Sequence, residues 1–310
     1  MAQLVLNVAL LACPLQAHMV AGANIAVYVN IMKLDLVDVF ATGALSGNPL
    51  AVVRGGDGLE TAQMLALTRW LGFSETTFLL PPSEPGADYR VRIFYPAGEL
   101  PFAGHPTLGS ASAWLASGGV PARAGVVVQQ CGVGLVEVRI ADDNLAFRAP
   151  PLRRAGPLDP AERAEVIRLA GVDPAEVIDA VHADNGPGWR LLHVSSAQAV
   201  LAAKPMATAP VPTDIGLVGA WGDDGDRQFE LRAFFTDANG RLTEDPVTGS
   251  LNASVAQHLL HRGHAAEPGY IAGQGQCIGA DGRIAVAIEG DAIWIGGKVR
   301  MIAHGAALSL

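Results

Sequence analysis

The chain carries one stretch twice. Arg92 to Leu115 reads RIFYPAGELPFAGHPTLGSASAWL, and Arg232 to Val255 reads RAFFTDANGRLTEDPVTGSLNASV. Laid over each other without a gap, at an offset of 140 residues, they share six identities in 24 positions: Arg92/Arg232, Phe94/Phe234, Pro106/Pro246, Gly109/Gly249, Ser110/Ser250 and Ala113/Ala253. Two copies at so long a period make two similar domains rather than a solenoid. Proline suits a first helical position, where its missing N–H is an orphan anyway, and a polar residue before it can cap. Each half is therefore expected to carry a short strand, a loop and a helix, the helices opening at His105-Pro106 and at Asp245-Pro246.

A duplicated domain places its ligand site between the copies. Helix N-termini offer unpaired N–H groups and partial positive charge, so two of them aimed at one cleft hold an anion well. The expected partner is a small acidic metabolite, a carboxylate. Net charge is −9, and no Lys/Arg run exists of the kind nucleic acid requires. That global sign does not exclude an anionic substrate, because helix ends and one or two arginines set the local field.

At 310 residues, half of them hydrophobic and 16% charged, the chain suits two compact domains and not a disordered one. Residues 1–31 hold no Lys, Arg, Asp or Glu. They lack the basic flank of a secretory signal and are broken by Asn7, Pro14, Gln16 and His18 too soon to span a membrane. They read as an extension ahead of a start at Met32. An N-terminal lobe over 32–150 and a C-terminal lobe over 151–310 follow, joined through Ala149 to Pro157, with the last strand returning to the first lobe. Cys13, Cys131 and Cys277 are odd in number and far apart, which points to a reducing, cytoplasmic setting without a disulfide framework or zinc knuckle.

Along the chain, strands are expected at Leu34 to Phe40, Leu50 to Val53 and Ser74 to Leu80, with a helix between the last two. Asp57 and Glu60 form its capping pair, and Gly72 stops it. Glu75 stands between Phe73 and an apolar strand, surroundings that raise a carboxyl pKa toward neutrality and suit a group that acts as both acid and base. Gly125 to Gln130, Gly134 to Ile140 and Leu145 to Arg148 read as a meander. Two helices open at Asp159-Pro160 and Asp173-Pro174, then a strand at Trp189 to Ser195 and a helix at Ala197 to Ala202. Tyr270 to Leu308 is strand and turn, with hairpins at Asp281-Gly282 and Glu289-Gly290-Asp291. The fold class is α+β, each domain a curved, mostly antiparallel sheet around one central helix.

Several motifs fail on inspection. Gly104 to Gly109 has the length of a phosphate loop but lacks its Lys. Gly273 to Gly279 misses the dinucleotide fingerprint. There is no Gly-x-Ser-x-Gly elbow. His258, His261 and His264 gather at a helix C-terminus, where histidines are favourable without a metal, so no metal site is assigned.

Four blocks in order are recognisable: Ser46-Gly47-Asn48-Pro49; Ser74-Glu75-Thr76-Thr77-Phe78; Arg92-Ile93-Phe94 with Glu99 to Thr107; and Glu244-Asp245-Pro246-Val247-Thr248-Gly249-Ser250. From about Met32 onward the chain resembles the PhzF-like family of phenazine-biosynthesis proteins. That resemblance implies a fold similar to diaminopimelate epimerase, with pseudo-symmetric domains and the site between them, and a homodimer. It also implies a cofactor-independent isomerase in which Glu75 moves a proton between carbons of a cyclic dienyl acid. His105, Asp245 and Ser250 would orient that acid, and Gly104 and Gly249 would let it approach the backbone; Asn48 joins them as a substrate-binding position. Epimerases of that fold use a cysteine at each helix start, and none of the three cysteines is near either. Many relatives carry Gly-Arg-Pro-Ser where this chain has Gly279-Ala280-Asp281-Gly282, which leaves ligand preference open. A small-molecule-binding protein with the same cleft and no turnover remains the alternative, as does a related lyase or hydrolase.

Overall fold

The computed structural model describes residues 16–19, 26–29, 32–141, 144–222, 225–237 and 239–310. Most of the leading segment, including Cys13, lies outside them, and so does the reading of it as an extension. Its described parts, β1 (Gln16–Met19) and β2 (Ala26–Val29), pair antiparallel.

The first half runs β3 (Met32–Val39), β4 (Asn48–Arg54), α1 (Thr61–Leu71), β5 (Thr76–Leu80), β6 (Tyr89–Tyr95), β7 (Gly98–Leu100), α2 (Gly104–Ala116), β8 (Val126–Cys131), β9 (Gly134–Ala141) and β10 (Asn144–Arg148). The second runs β11 (Arg154–Pro157), α3 (Pro160–Ala170), β12 (Val177–Asp184), β13 (Arg190–Val194), α4 (Ala197–Ala202), β14 (Asp214–Ala220), β15 (Phe229–Thr236), β16 (Leu242–Asp245), α5 (Gly249–His261), β17 (Gly269–Gln274), β18 (Gly282–Glu289) and β19 (Ala292–Leu308). The pairings repeat. β4 lies parallel to β5 and β6 to β8, just as β13 lies parallel to β14 and β15 to β17; the other ladders are antiparallel. β19 is shared: its first part pairs with β18 and β10, its second with β3.

β3 to β19 form one continuous closed sheet, which curls around one helix in each half. α2 is buried along most of its length, and its glycines admit the wall: a methyl group on Gly109 would meet Leu50 Cδ2 at 2.5 Å. Small and apolar residues dominate α2 and it carries no Lys, Arg, Asp or Glu, so it has no charged face to give to solvent and belongs inside. β4 and β5 are buried on both faces because α1 covers the outside, where Met64 and Leu67 pack on Val53, Phe78 and Phe94. α3 and α4 cover the second half through Val166, Leu169 and Val200 against Leu192, Ile215 and Phe234. Among the described residues no helix is long and apolar enough to cross a membrane.

The repeat is real, but its gapless register holds only for the strand. Phe94 pairs with Glu99, five residues on, whereas Phe234 pairs with Glu244, ten residues on. The turn in the second half is longer by five residues. Beyond it the halves correspond at an offset of 145, which aligns Glu99-Leu100-Pro101-Phe102-Ala103-Gly104-His105 with Glu244-Asp245-Pro246-Val247-Thr248-Gly249-Ser250. The helices therefore open at Gly104 and Gly249, not at His105-Pro106 and Asp245-Pro246. Asp245 closes a strand, and Ser250 is the counterpart of His105. The shared arginines do the same work twice: Arg92 pairs with Glu99 and Thr61 of α1, and Arg232 pairs with Glu244 and the carbonyl of Ala203 after α4.

Other expectations need correction. The N-cap of α1 is Glu60, whose N–H donates to Gln63, so the box sits three residues later than Asp57–Glu60. Asp173-Pro174 opens a single 3-10 turn, Pro174–Glu176, because β12 begins at Val177. β12 and β14 were not foreseen. The Pro-rich joint contains β11, and Asp281-Gly282 ends a seven-residue connection rather than a tight hairpin.

Candidate active site

The two central helices begin against each other. A methyl group on Gly249 would lie 3.1 Å from Gly104 Cα and 3.3 Å from the His105 nitrogen. Only glycine at both positions lets the backbones come this close. Neither helix has a side-chain cap, whereas α3 is capped by Asp159 and α4 by Ser196. Their first internal bonds run from Thr107 N to Ala103 O and from Asn252 N to Thr248 O. The N–H groups of Gly104, His105, Gly249 and Ser250 thus have no acceptor within their helices, and two positive helix ends meet at one point.

Glu75 stands immediately before β5, in the short link from α1. Its side chain keeps 18% exposure, yet Oε2 is fully buried and makes no hydrogen bond. Burial pushes its pKa from 4.5 up to about 8, and the nearby Asp245 carboxylate adds to the rise. His105, the second residue of α2, presents Nε2 to Glu75 Oε2 at 3.6 Å. Burial takes the imidazole pKa down to about 3, so the ring is neutral. Its Nδ1 faces Asn48 Nδ2 at 3.4 Å.

Asn48, fully buried at the start of β4, ties the halves together. The two hydrogens of its amide nitrogen go to Asp245 Oδ1 at 3.1 Å and to the Val247 carbonyl at 2.9 Å. Asp245 Oδ2 accepts from Thr248 Oγ1 at 2.5 Å, and Thr248 Oγ1 accepts from Gln274 Nε2 at 2.9 Å. Burial lifts the Asp245 pKa to about 6 against the opposing pull of Thr248, Asn48 and Ser74. Two carboxyl groups in one dry pocket compete for ionisation and titrate as a pair. Ser250, the second residue of α5, accepts from Trp189 Nε1 at 3.2 Å.

Every expected site residue therefore lies at or beside the paired helix starts: Glu75, His105, Gly104 and Asn48 from the first half, Asp245, Gly249 and Ser250 from the second. Sequence reading missed Thr248 and Gln274, which hold Asp245, and Trp189, which holds Ser250. The Glu-x-Pro-x-x-Gly pattern shared by residues 99–104 and 244–249 was the available signal for the true register. His258, in the last turn of α5, faces His193 at 3.4 Å. Among the described residues no group of three His, Cys, Asp or Glu side chains is arranged to hold a metal ion. Cys131 and Cys277 are free thiols.

Residues 37–306 match the family model described as phenazine biosynthesis-like protein. The chain belongs to that family. It is 33% identical over 237 residues to antisense-enhancing sequence 1 of Schizosaccharomyces pombe, covering 72% of this chain and 78% of that protein. It is 32% identical over 231 residues to trans-2,3-dihydro-3-hydroxyanthranilate isomerase of Pseudomonas fluorescens, covering 74% and 80%. A phenazine biosynthesis protein of the PhzF family from Enterococcus faecalis superposes with a TM-score of 0.73 at 22% identity, over 90% of this chain and all of that one. The fold is thus the diaminopimelate epimerase-like fold of the phenazine biosynthesis-like family, and the enzyme class is isomerase.

Proposed function

We propose that the protein is a cofactor-independent isomerase that moves a proton between carbons of a small cyclic carboxylic acid, with Glu75 as the one acid/base. The observation that carries this reading is the Glu75 carboxyl group, unpartnered and buried at Oε2 beside a neutral imidazole and two uncapped helix ends.

The substrate carboxylate is held by the N–H groups of Gly104, His105, Gly249 and Ser250. Ionised Glu75 breaks a C–H bond and takes the proton, while the electron pair spreads through the conjugated ring toward that carboxylate. The uncapped N–H groups stabilise the charge as it builds, being already oriented and shielded from water. Glu75, now a carboxylic acid, returns the proton to a second carbon. A pKa near 8 suits both steps, since the group is neither so acidic that it holds no proton nor so basic that it keeps it. His105 Nε2–H steadies the ionised form, and Asp245, gripped by Asn48 and Thr248, orients polar substituents of the ring. The homodimer expected from the resemblance is part of this proposal and is tested by light scattering.

Small cyclic acids, beginning with trans-2,3-dihydro-3-hydroxyanthranilate, are screened by thermal shift, and hits are followed by proton NMR in deuterium oxide. A stabilising acid that exchanges a carbon-bound hydrogen and yields an isomer supports the proposal. Stabilisation with no exchange and no product favours a binder without turnover.

A further inference from the structure

The second half of the cleft carries a device that the proton transfer does not use. The connection from β12 to β13, Asn185 to Trp189, folds onto the start of α5. Asn185 Nδ2 donates to the Ser250 carbonyl at 2.8 Å, and Trp189 Nε1 donates to Ser250 Oγ at 3.2 Å. The loop is built to do this. Asp184 Oδ1 accepts from the N–H groups of Gly186 and Gly188 at 2.7 and 3.1 Å, and Gly188 adopts φ 86°, a left-handed turn that returns the chain to bring Trp189 inward. Trp189 is 3% exposed and Asn185 7%, and Asn185 Oδ1 has no hydrogen-bond partner among the described residues. A buried amide left half-satisfied is costly unless something else completes it.

An indole N–H only donates. With Trp189 occupying a lone pair of Ser250 Oγ, the hydroxyl hydrogen is left to point elsewhere, and Ser250 Oγ has no other partner among the described residues. We propose that Trp189 is a positioning residue that takes one lone pair of the Ser250 hydroxyl and turns its hydrogen into the cleft, so that this side favours the carboxylate of the acid, an ionised acceptor, over the neutral carbonyl of an amide. The inference rests on the reading above that the cleft binds a small acid. On the opposite side the Asn48 amide nitrogen faces His105 Nδ1 at 3.4 Å, so in each half a polar side chain from outside the central helix stands against its second residue. The two halves solve one problem with different side chains.

The test is a double-mutant cycle on binding of anthranilate, a planar cyclic acid that cannot isomerise, with 2-aminobenzamide as the matching amide, measured by calorimetry on the full chain. Trp189→Phe keeps the ring and removes the N–H. Each of Trp189→Phe and Ser250→Ala is expected to weaken anthranilate about 10-fold, and the double variant also about 10-fold rather than about 100-fold, because both remove one shared bond. Trp189→Phe should also narrow the preference for the acid over the amide. A structural role alone would give additive losses and an unchanged preference. A second readout does not depend on Trp189→Phe folding: in wild-type and Ser250→Ala protein, the indole N–H resonance of Trp189 is compared by NMR, and Ser250→Ala should shift it and speed its exchange with solvent. Additive losses, or an unmoved resonance, overturn the inference while leaving the acid site standing. Wild-type protein that binds no acid at all overturns it together with the proposed function.

Discussion

His105 Nε2 lies 3.6 Å from Glu75 Oε2, and neither atom has a hydrogen-bond partner among the described residues. Nearly every other buried polar atom in a folded protein is paired. An imidazole nitrogen and a carboxyl oxygen left facing each other at just beyond bonding distance form a site completed by what enters it.

Holding Glu75 dry makes stability depend on pH. Its folded pKa is raised from 4.5 to about 8, so between those values the native chain keeps a proton that the unfolded chain releases. The contribution is fully present below pH 4.5 and is lost as pH rises through about 8. Glu75→Gln removes the term. Thermal denaturation should show that variant more stable than wild type at pH 8 to 9, on the order of a few kcal/mol, with the gap closing toward pH 4.5.

Asp245 raises further the pH at which buried Glu75 titrates. Its charge is the second cause of the raised Glu75 pKa, after burial. The pH profile of kcat/KM should therefore rise toward a plateau above about pH 8 as Glu75 ionises. In Asp245→Asn the rising limb should move to lower pH while staying above the usual carboxylate range, because burial persists. A limb that stays in place separates the two groups.

Gly249→Ala tests the meeting of the helix ends. The added methyl would stand 3.3 Å from the His105 nitrogen, where the neighbours must yield by a few tenths of an ångström. The fold should survive, and the acid should lose access to the N–H groups. Affinity for a bound acid is expected to fall ~10-fold or more, about 1.4 kcal/mol, in calorimetric titration.

The duplicated arginines offer a comparison within one molecule. Arg232 and Glu244 keep 6% and 8% exposure, Arg92 and Glu99 25% and 39%. Arg232→Ala leaves a buried carboxylate unpaired and should cost ~3–5 kcal/mol, whereas Arg92→Ala should cost less than about 1 kcal/mol. Urea unfolding of both variants measures the difference.

Much of this architecture is written locally. Arg92-Ile93-Phe94 and Arg232-Ala233-Phe234 announce a duplicated strand, and the glycines after them mark where helix and ligand must come close. Asp245 ends a strand rather than opening a helix because a turn five residues longer shifts the helix, a shift that the chance identities Pro106/Pro246 and Gly109/Gly249 conceal. β14 is Gly-rich and buried along most of its length, so it shows no alternation. β12, with Asp179, Ala180 and His182, carries residues of weak strand preference that only its neighbours stabilise. Nothing local marks Trp189 as the partner of Ser250, because that bond joins residues 61 apart.

The central claim is that one carboxyl group takes and returns the proton. Substrate turnover in deuterium oxide, followed by NMR with wild type and Glu75→Gln, reads this directly. Wild type should place deuterium at the carbon that receives the proton, and folded Glu75→Gln should lose both exchange and isomerisation by ~10³-fold or more. Undiminished exchange in the Glu75→Gln protein would contradict the account.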